Sequence, residues 1–174
     1  MNTLEAIAKR ASTRSFTARQ IPEEALQAIL EAGCAAPVAM AQYEALHITV
    51  VQDRSLLKKI LDNASDVVFQ QTGTRKNMDY GEQTMIIVSS ATPLRPGMEF
   101  VNAGCIIENM VLAATDLGID SVVLAGAPSA LALNERLQRE LGIPADRKPL
   151  LGASFGYGTE ETPAKKHTIS INRI

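Results

Sequence analysis

The segment from Glu99 to Leu117 limits the possible folds of this chain more than any other. Its polar residues Asn102, Asn109 and Asp116 recur every seven positions, with Glu108 and Thr115 beside them. Val101, Cys105, Ile106, Met110, Val111 and Leu117 are apolar. That spacing predicts a helix with one thin polar stripe, buried nearly all round and stopped by Gly118. Such a helix needs packed layers on both sides. In a chain of 174 residues, about one ordinary domain, so much burial also calls for a second subunit.

The sheet that would supply a layer is visible in Thr84-Met85-Ile86-Ile87-Val88-Ser89, a nearly continuous apolar run of the kind covered on both faces. Further strands are predicted from Leu46 to Val51, Ser121 to Leu124 and Lys148 to Phe155. An unpaired edge strand alternates from Lys166 to Asn172. Thr3 caps a first helix reaching about Arg10. Pro22 at the first helical position, with Glu23 and Glu24 in the first turn, opens a second that ends near Gly33 to Pro37. Ser55 to about Ala64 is a third, and a last one, capped by Ser129 or Asn134, runs through Leu141. From Ser65 to Gln83 the periodicity is lost and irregular structure is expected. With no repeat, linker or low-complexity tract, residues 1–174 are read as a single α+β domain of four or five strands between helices.

Composition removes several function classes. The 46% hydrophobic and 21% charged fractions are globular, and a net charge of −2 with three Tyr, four Phe and no Trp argues against nucleic acid as partner. No apolar run spans a bilayer, and the opening MNTLEAIAKR has no signal-peptide core, so no membrane partner is expected. Cys34 and Cys105 lie in apolar helical settings, which suggests reduced, buried thiols and a cytoplasmic location. With only His47 and His167, the chain is poorly equipped for a zinc site or a Ser-His-Asp triad. Gly152, Gly156 and Gly158 do not form a dinucleotide fingerprint. Glu108 is the expected buried acid, with a structural role.

The remaining chemistry collects in Arg10-Ala11-Ser12-Thr13-Arg14-Ser15-Phe16. Alternate side chains of an extended segment share one side, so Arg10, Ser12 and Arg14 can point at one object. Two guanidinium groups and a hydroxyl suit a phosphate, a carboxylate or the edge of an electron-rich heterocycle; the plainer alternative is a pair of solvated arginines beside a turn. Lys9, Arg10, Arg14 and Arg19 face only Glu5 in the first twenty residues. The last eleven carry Lys165, Lys166, His167 and Arg173 with no acid. Where the two ends meet they would form a cationic pocket. The small apolar stretch Pro37-Val38-Ala39-Met40-Ala41-Gln42 is expected to line a pocket or an interface. A flat, mostly apolar ligand with an anionic end fits these features, and a cofactor would supply the chemistry that the side chains lack.

The same residues resemble the FMN-dependent nitroreductase family. The resemblance lies in Arg10 to Phe16, in Ile21-Pro22-Glu23-Glu24-Ala25-Leu26 with the helix to Ala36-Pro37, in Ala103 through Gly118, and in Leu124-Ala125-Gly126-Ala127-Pro128. It covers nearly the whole chain in order. It implies a nitroreductase-like α+β fold with a mostly antiparallel sheet in an intertwined homodimer. It also implies FMN as cofactor and NADH or NADPH as co-substrate, with ping-pong hydride transfer through flavin N5 to nitroaromatic, quinone or similar acceptors. By that resemblance Arg10 would face the phosphate, Arg14 the N1–O2 edge of the ring, and Ala11 and Ser12 would lie between. Val123, Leu124, Ala125 and Gly126 would sit beside the ring. Lys165 and Lys166 would complete the phosphate site, and Pro37, Val38, Ala39 and Met40 would approach the ring from the partner subunit.

Where many members read A-P-S-x-x-N-x-Q-P-W, this chain reads Ala36-Pro37-Val38-Ala39-Met40-Ala41-Gln42-Tyr43-Glu44-Ala45. That departure motivates a second reading, a flavin-binding protein for storage or regulation. A specialised flavin enzyme, such as a reductive dehalogenase, is a third.

Overall fold

The computed structural model describes residues 1–93, 95–163 and 167–174. Four strands, β1 (Leu46–Val51), β2 (Thr84–Ser90), β3 (Asp120–Leu124) and β4 (Lys148–Gly156), form one sheet of order β1-β2-β4-β3. All three pairings are antiparallel. A one-residue parallel bridge from Ser12 to Ser121 extends the β3 edge. Strand β2 is buried at every position, as its apolar run demands.

Its alternating side chains divide the core. Met85 and Ile87 pack with Leu57, Ile60 and Leu61 of α3 (Arg54–Thr72) and with Leu131 of α5 (Gly126–Leu131). Ile86 and Val88 pack on the other face with Ile29 of α2 (Glu23–Cys34) and with Ile106 and Met110 of α4 (Met98–Asp116). The result is a sheet between two helical layers, completed by α1 (Thr3–Lys9) and α6 (Glu135–Glu140).

Several expectations need correction. Asn2, not Thr3, caps α1: its Oδ1 accepts the Glu5 N–H at 3.0 Å while Glu5 Oε2 accepts the Asn2 N–H at 3.1 Å. Pro22 sits at the N-cap of α2 rather than inside it. Helix α3 continues past Ala64 to Thr72, because Val67 still packs on the core, and Gly73 at φ 71° ends it. The last predicted helix is two short ones, the second capped by Asn134.

Helix α4 buries Ala103, Ile106, Ile107, Met110 and Val111 against the sheet and α2. Its other face leaves Phe100, Val101 and Leu117 about half exposed. Within one chain it is therefore not covered all round, and Glu108 is exposed rather than buried. Cys34, the last residue of α2, is exposed, and Cys105 is half-buried against the core between α4 and the sheet; both are free thiols, and neither is fully buried as expected. In the tail, residues 167–172 form no strand, and Ile169 and Ile171 are exposed. No helix among the described residues is long and apolar enough to cross a membrane.

Candidate functional site

The N-terminal arginine segment leaves α1 where Arg10 turns to an extended backbone, at ψ 121°. Thr13 N–H then donates to the Ser121 carbonyl at 3.0 Å, which anchors the segment beside β3. Thr13 and Phe16 are buried, and Ala11, Ser12 and Arg14 remain accessible. The alternation read from sequence is thus realised. Arg10, Ala11, Ser12 and Arg14 line one cavity of about 220 Å³ with Thr162, Pro163 and His167. Among the described residues neither arginine forms an ion pair. Arg14 Nη1 reaches only the Ser12 carbonyl, at 3.5 Å. Two unneutralised guanidinium groups on one small cavity favour an anion. Lys165 and Lys166 lie outside the described residues.

The turn after β3 comes to the same edge of the sheet. The Leu124 side chain points into the core, so at that position only the backbone is available to a ligand, whereas Val123, Ala125 and Gly126 are exposed. A third segment, which the sequence reading left unassigned, joins them. Phe16 N–H donates to the Tyr80 carbonyl at 2.7 Å. The Met78 methyl lies 3.6 Å from where a Cβ on Gly126 would stand. Residues 78–81 therefore bridge the arginine segment and the turn. Gly81, at φ 84°, and the Asx-type contact from Asp79 N–H to Asn77 Oδ1 at 3.1 Å were the available signals, submerged in a stretch without periodicity. Arg75, in the same irregular stretch, is engaged elsewhere: it pairs with Asp66 at 2.6 Å and lies over Phe69.

Pro37, Val38, Ala39 and Met40 lie elsewhere. Ala39 N–H donates to Asn102 Oδ1 at 3.0 Å, at the start of α4. Met40 and Ala41 both take left-handed backbone, at φ 57° and 53°, a strain of order 1–3 kcal/mol per residue. Met40 is 64% exposed. The loop leads into β1, the sheet edge opposite β3, three strand spacings or about 14 Å away. One chain does not bring it to the arginines. The polar stripe of α4 is spent on anchoring: Asn102 on this loop, Asn109 on the Ala32 carbonyl at 3.0 Å, and Asp116 on the N-terminal amine. Among the described residues no group of three or more His, Cys, Asp or Glu could hold a metal.

Residues 7–157 match the nitroreductase family. The chain belongs to that family. A relative from Archaeoglobus fulgidus, with the inferred name NADH dehydrogenase/NAD(P)H nitroreductase, is 31% identical over 161 residues, 91% of this chain and 86% of its own. A Bacteroides fragilis nitroreductase with bound FMN superposes with a TM-score of 0.86 at 30% identity, covering 100% of this chain and 97% of that one. Another with bound FMN, from Desulfitobacterium hafniense, gives 0.84 at 26% identity, covering 99% and 100%.

The family resemblance and the antiparallel α+β class are borne out. A nitroreductase-family chain of this geometry gathers residues 10–14, 78–81 and 123–126 at one sheet edge and leaves residues 37–40 at the other. His167 belongs to the basic tail that was expected to meet the N-terminal arginines, and it does line their cavity; Thr162 and Pro163 were not foreseen there.

Proposed function

We propose that this chain is an FMN-dependent oxidoreductase that takes hydride from NADH or NADPH and passes it, by a ping-pong cycle, to small electron-poor acceptors such as nitroaromatics and quinones. The observation that carries this reading is the pair of guanidinium groups, Arg10 and Arg14, which form no ion pair among the described residues and share one cavity with Ser12. The residues fit an anionic, partly aromatic cofactor. When bound, FMN supplies two-electron acceptance and donation at N5.

The chain's own residues bind and orient. Arg10 and Ser12 would hold the phosphate, and Arg14 would place positive charge at the N1–O2 edge, where reduction of the ring builds negative charge. The backbone at residues 124–126 would present hydrogen-bond donors to the ring edge carrying N5, and Ala11 and Val123 would flank it. No side-chain acid is required, since water can return the proton. We place the protein in the reducing cytoplasm, where its two free thiols are stable.

The working unit is a homodimer acting as a single FMN-binding domain per chain. Two features support it: the half-exposed apolar face of α4, and the separation of residues 37–40 from the arginines of the same chain. A second copy would bring Pro37, Val38, Ala39 and Met40 over the ring and form two sites per dimer.

A visible absorption spectrum of the purified protein, repeated under anaerobic NADH or NADPH, tests the proposal. Flavin bands that bleach are expected. Bands that persist would favour binding without turnover, and no bands even after FMN addition would end the flavin reading.

A further inference from the structure

Among the described residues Glu82 is the one acid that the fold buries completely. Its carboxylate is held from two sides. Oε2 accepts the Tyr80 N–H at 2.8 Å, and Oε1 accepts the Ser154 hydroxyl of β4 at 3.0 Å. No described cation pairs with it. A carboxylate buried on neutral donors alone is an unfavourable way to fill space. Leu or Met would pack there at lower cost, so packing does not account for it.

Geometry does. The bond from Tyr80 N–H to Glu82 closes a turn around Gly81, held at φ 84°. A Cβ on Gly81 would stand 2.8 Å from the Phe16 carbonyl oxygen, so the arginine segment lies directly against this turn. With the turn closed, the Tyr80 carbonyl meets Phe16 N–H at 2.7 Å. Met78 then reaches Gly126 on the other side. Arg54 braces the same turn, donating from Nη1 to the Glu82 carbonyl at 3.0 Å and from Nη2 to both Asp79 oxygens at 2.8 and 3.1 Å.

We propose that Glu82 is a positioning residue of the flavin site: a buried latch that fixes residues 78–81 to β4 and so sets the gap between the arginine segment and the turn at residues 123–126. The inference rests on the flavin reading above. Glu82 touches no ligand and acts through Tyr80 and Phe16. Its role needs an acceptor for Tyr80 and a partner for Ser154, not a charge. Gln can supply both, accepting from Tyr80 through Oε1 and donating through Nε2 to the Ser154 oxygen. Met can supply neither.

The test compares wild type, Glu82→Gln and Glu82→Met by FMN titration, by the melting temperature of the flavin-free protein, and by amide hydrogen exchange without flavin. Glu82→Gln should match wild type on all three. Glu82→Met should hold its melting temperature yet bind FMN about tenfold more weakly. Exchange should quicken at the Tyr80 and Phe16 amides and stay unchanged at Ile86 and Ile87 of β2. Wild-type affinity and exchange in Glu82→Met would overturn the latch, as would a Glu82→Gln variant as weak as Glu82→Met. Should Glu82→Met not fold, Gly81→Ala strikes the same turn by pressing on the Phe16 carbonyl, and unchanged affinity and Phe16 exchange there would also overturn it. A wild-type chain that binds no FMN would sink the flavin reading alone, because the exchange comparison needs no flavin.

Discussion

The arginine segment and the loop at residues 37–41 look alike in sequence: each is short, follows a helix and precedes a core element. The fold treats them in opposite ways. The arginine segment is tied to β3 by Thr13 and to residues 78–81 by Phe16, and it turns its charges toward a cavity of its own chain. The loop is tied to α4 by Asn102, carries strained backbone at Met40 and Ala41, and presents Met40 outward at the far sheet edge. One region completes a local pocket; the other leaves Met40 exposed at the far edge of the sheet. The composite dimer proposed above is the reading that gives both regions a role at the flavin.

The most severe test of that contrast is subunit complementation. An Arg10→Ala/Arg14→Ala chain and a Met40→Asp chain should each be inactive alone. Refolded together, they should regain about one quarter of wild-type activity, since half of the dimers are mixed and each mixed dimer holds one intact site. No recovery would mean that each chain builds its site unaided.

Single substitutions sharpen the division of labour. Arg10→Ala or Arg14→Ala should weaken FMN by roughly 10- to 100-fold, the range of a lost charge-assisted hydrogen bond. Met40→Ala should leave FMN affinity nearly intact and change the KM for the acceptor. Fluorescence titration beside steady-state kinetics separates the two, and equal losses of affinity would erase the distinction. Asn102→Ala should reduce unfolding stability by about 1–3 kcal/mol, because the Ala39 N–H loses its acceptor and the left-handed pair its anchor. A denaturant midpoint equal to wild type would show that Asn102 does not hold the loop.

The smallest expected effect concerns Asp53, which caps the helix linking β1 to residues 78–81. The Ser55 hydroxyl and then the Leu56 N–H hold its carboxyl below its ordinary value. The charged form is favoured in the folded chain, so its contribution is present above the unfolded-state pKa and fades as pH falls through the folded one. Asp53→Asn still caps but cannot titrate. It should match wild type at neutral pH and show a slightly flatter loss of stability in acid. Identical acid limbs would remove Asp53 from the pH dependence.

Local periodicity and turn chemistry made much of the fold legible. Leu46 to Val51 was readable to the residue, β2 from its unbroken apolar run, and α4 from its stripe and from Gly118. The stretch from Ser65 to Gln83 was not, because its helical half holds on through Val67 while Ser65, Asp66, Gln70 and Gln71 blur the period. Its second half is organised by contacts to Arg54, Ser154 and Phe16, distant in sequence.

By itself, the sequence determined which residues could meet an anion, since charge and alternation are properties of the residues and their spacing. It also determined that α4 carries more apolar surface than one chain covers. Only the tertiary structure decided that residues 78–81 and Glu82 stand behind the arginine segment, and that residues 37–40 do not. Both depend on which strand lies at which edge of the sheet, and strand order comes from long-range pairing that no local pattern encodes.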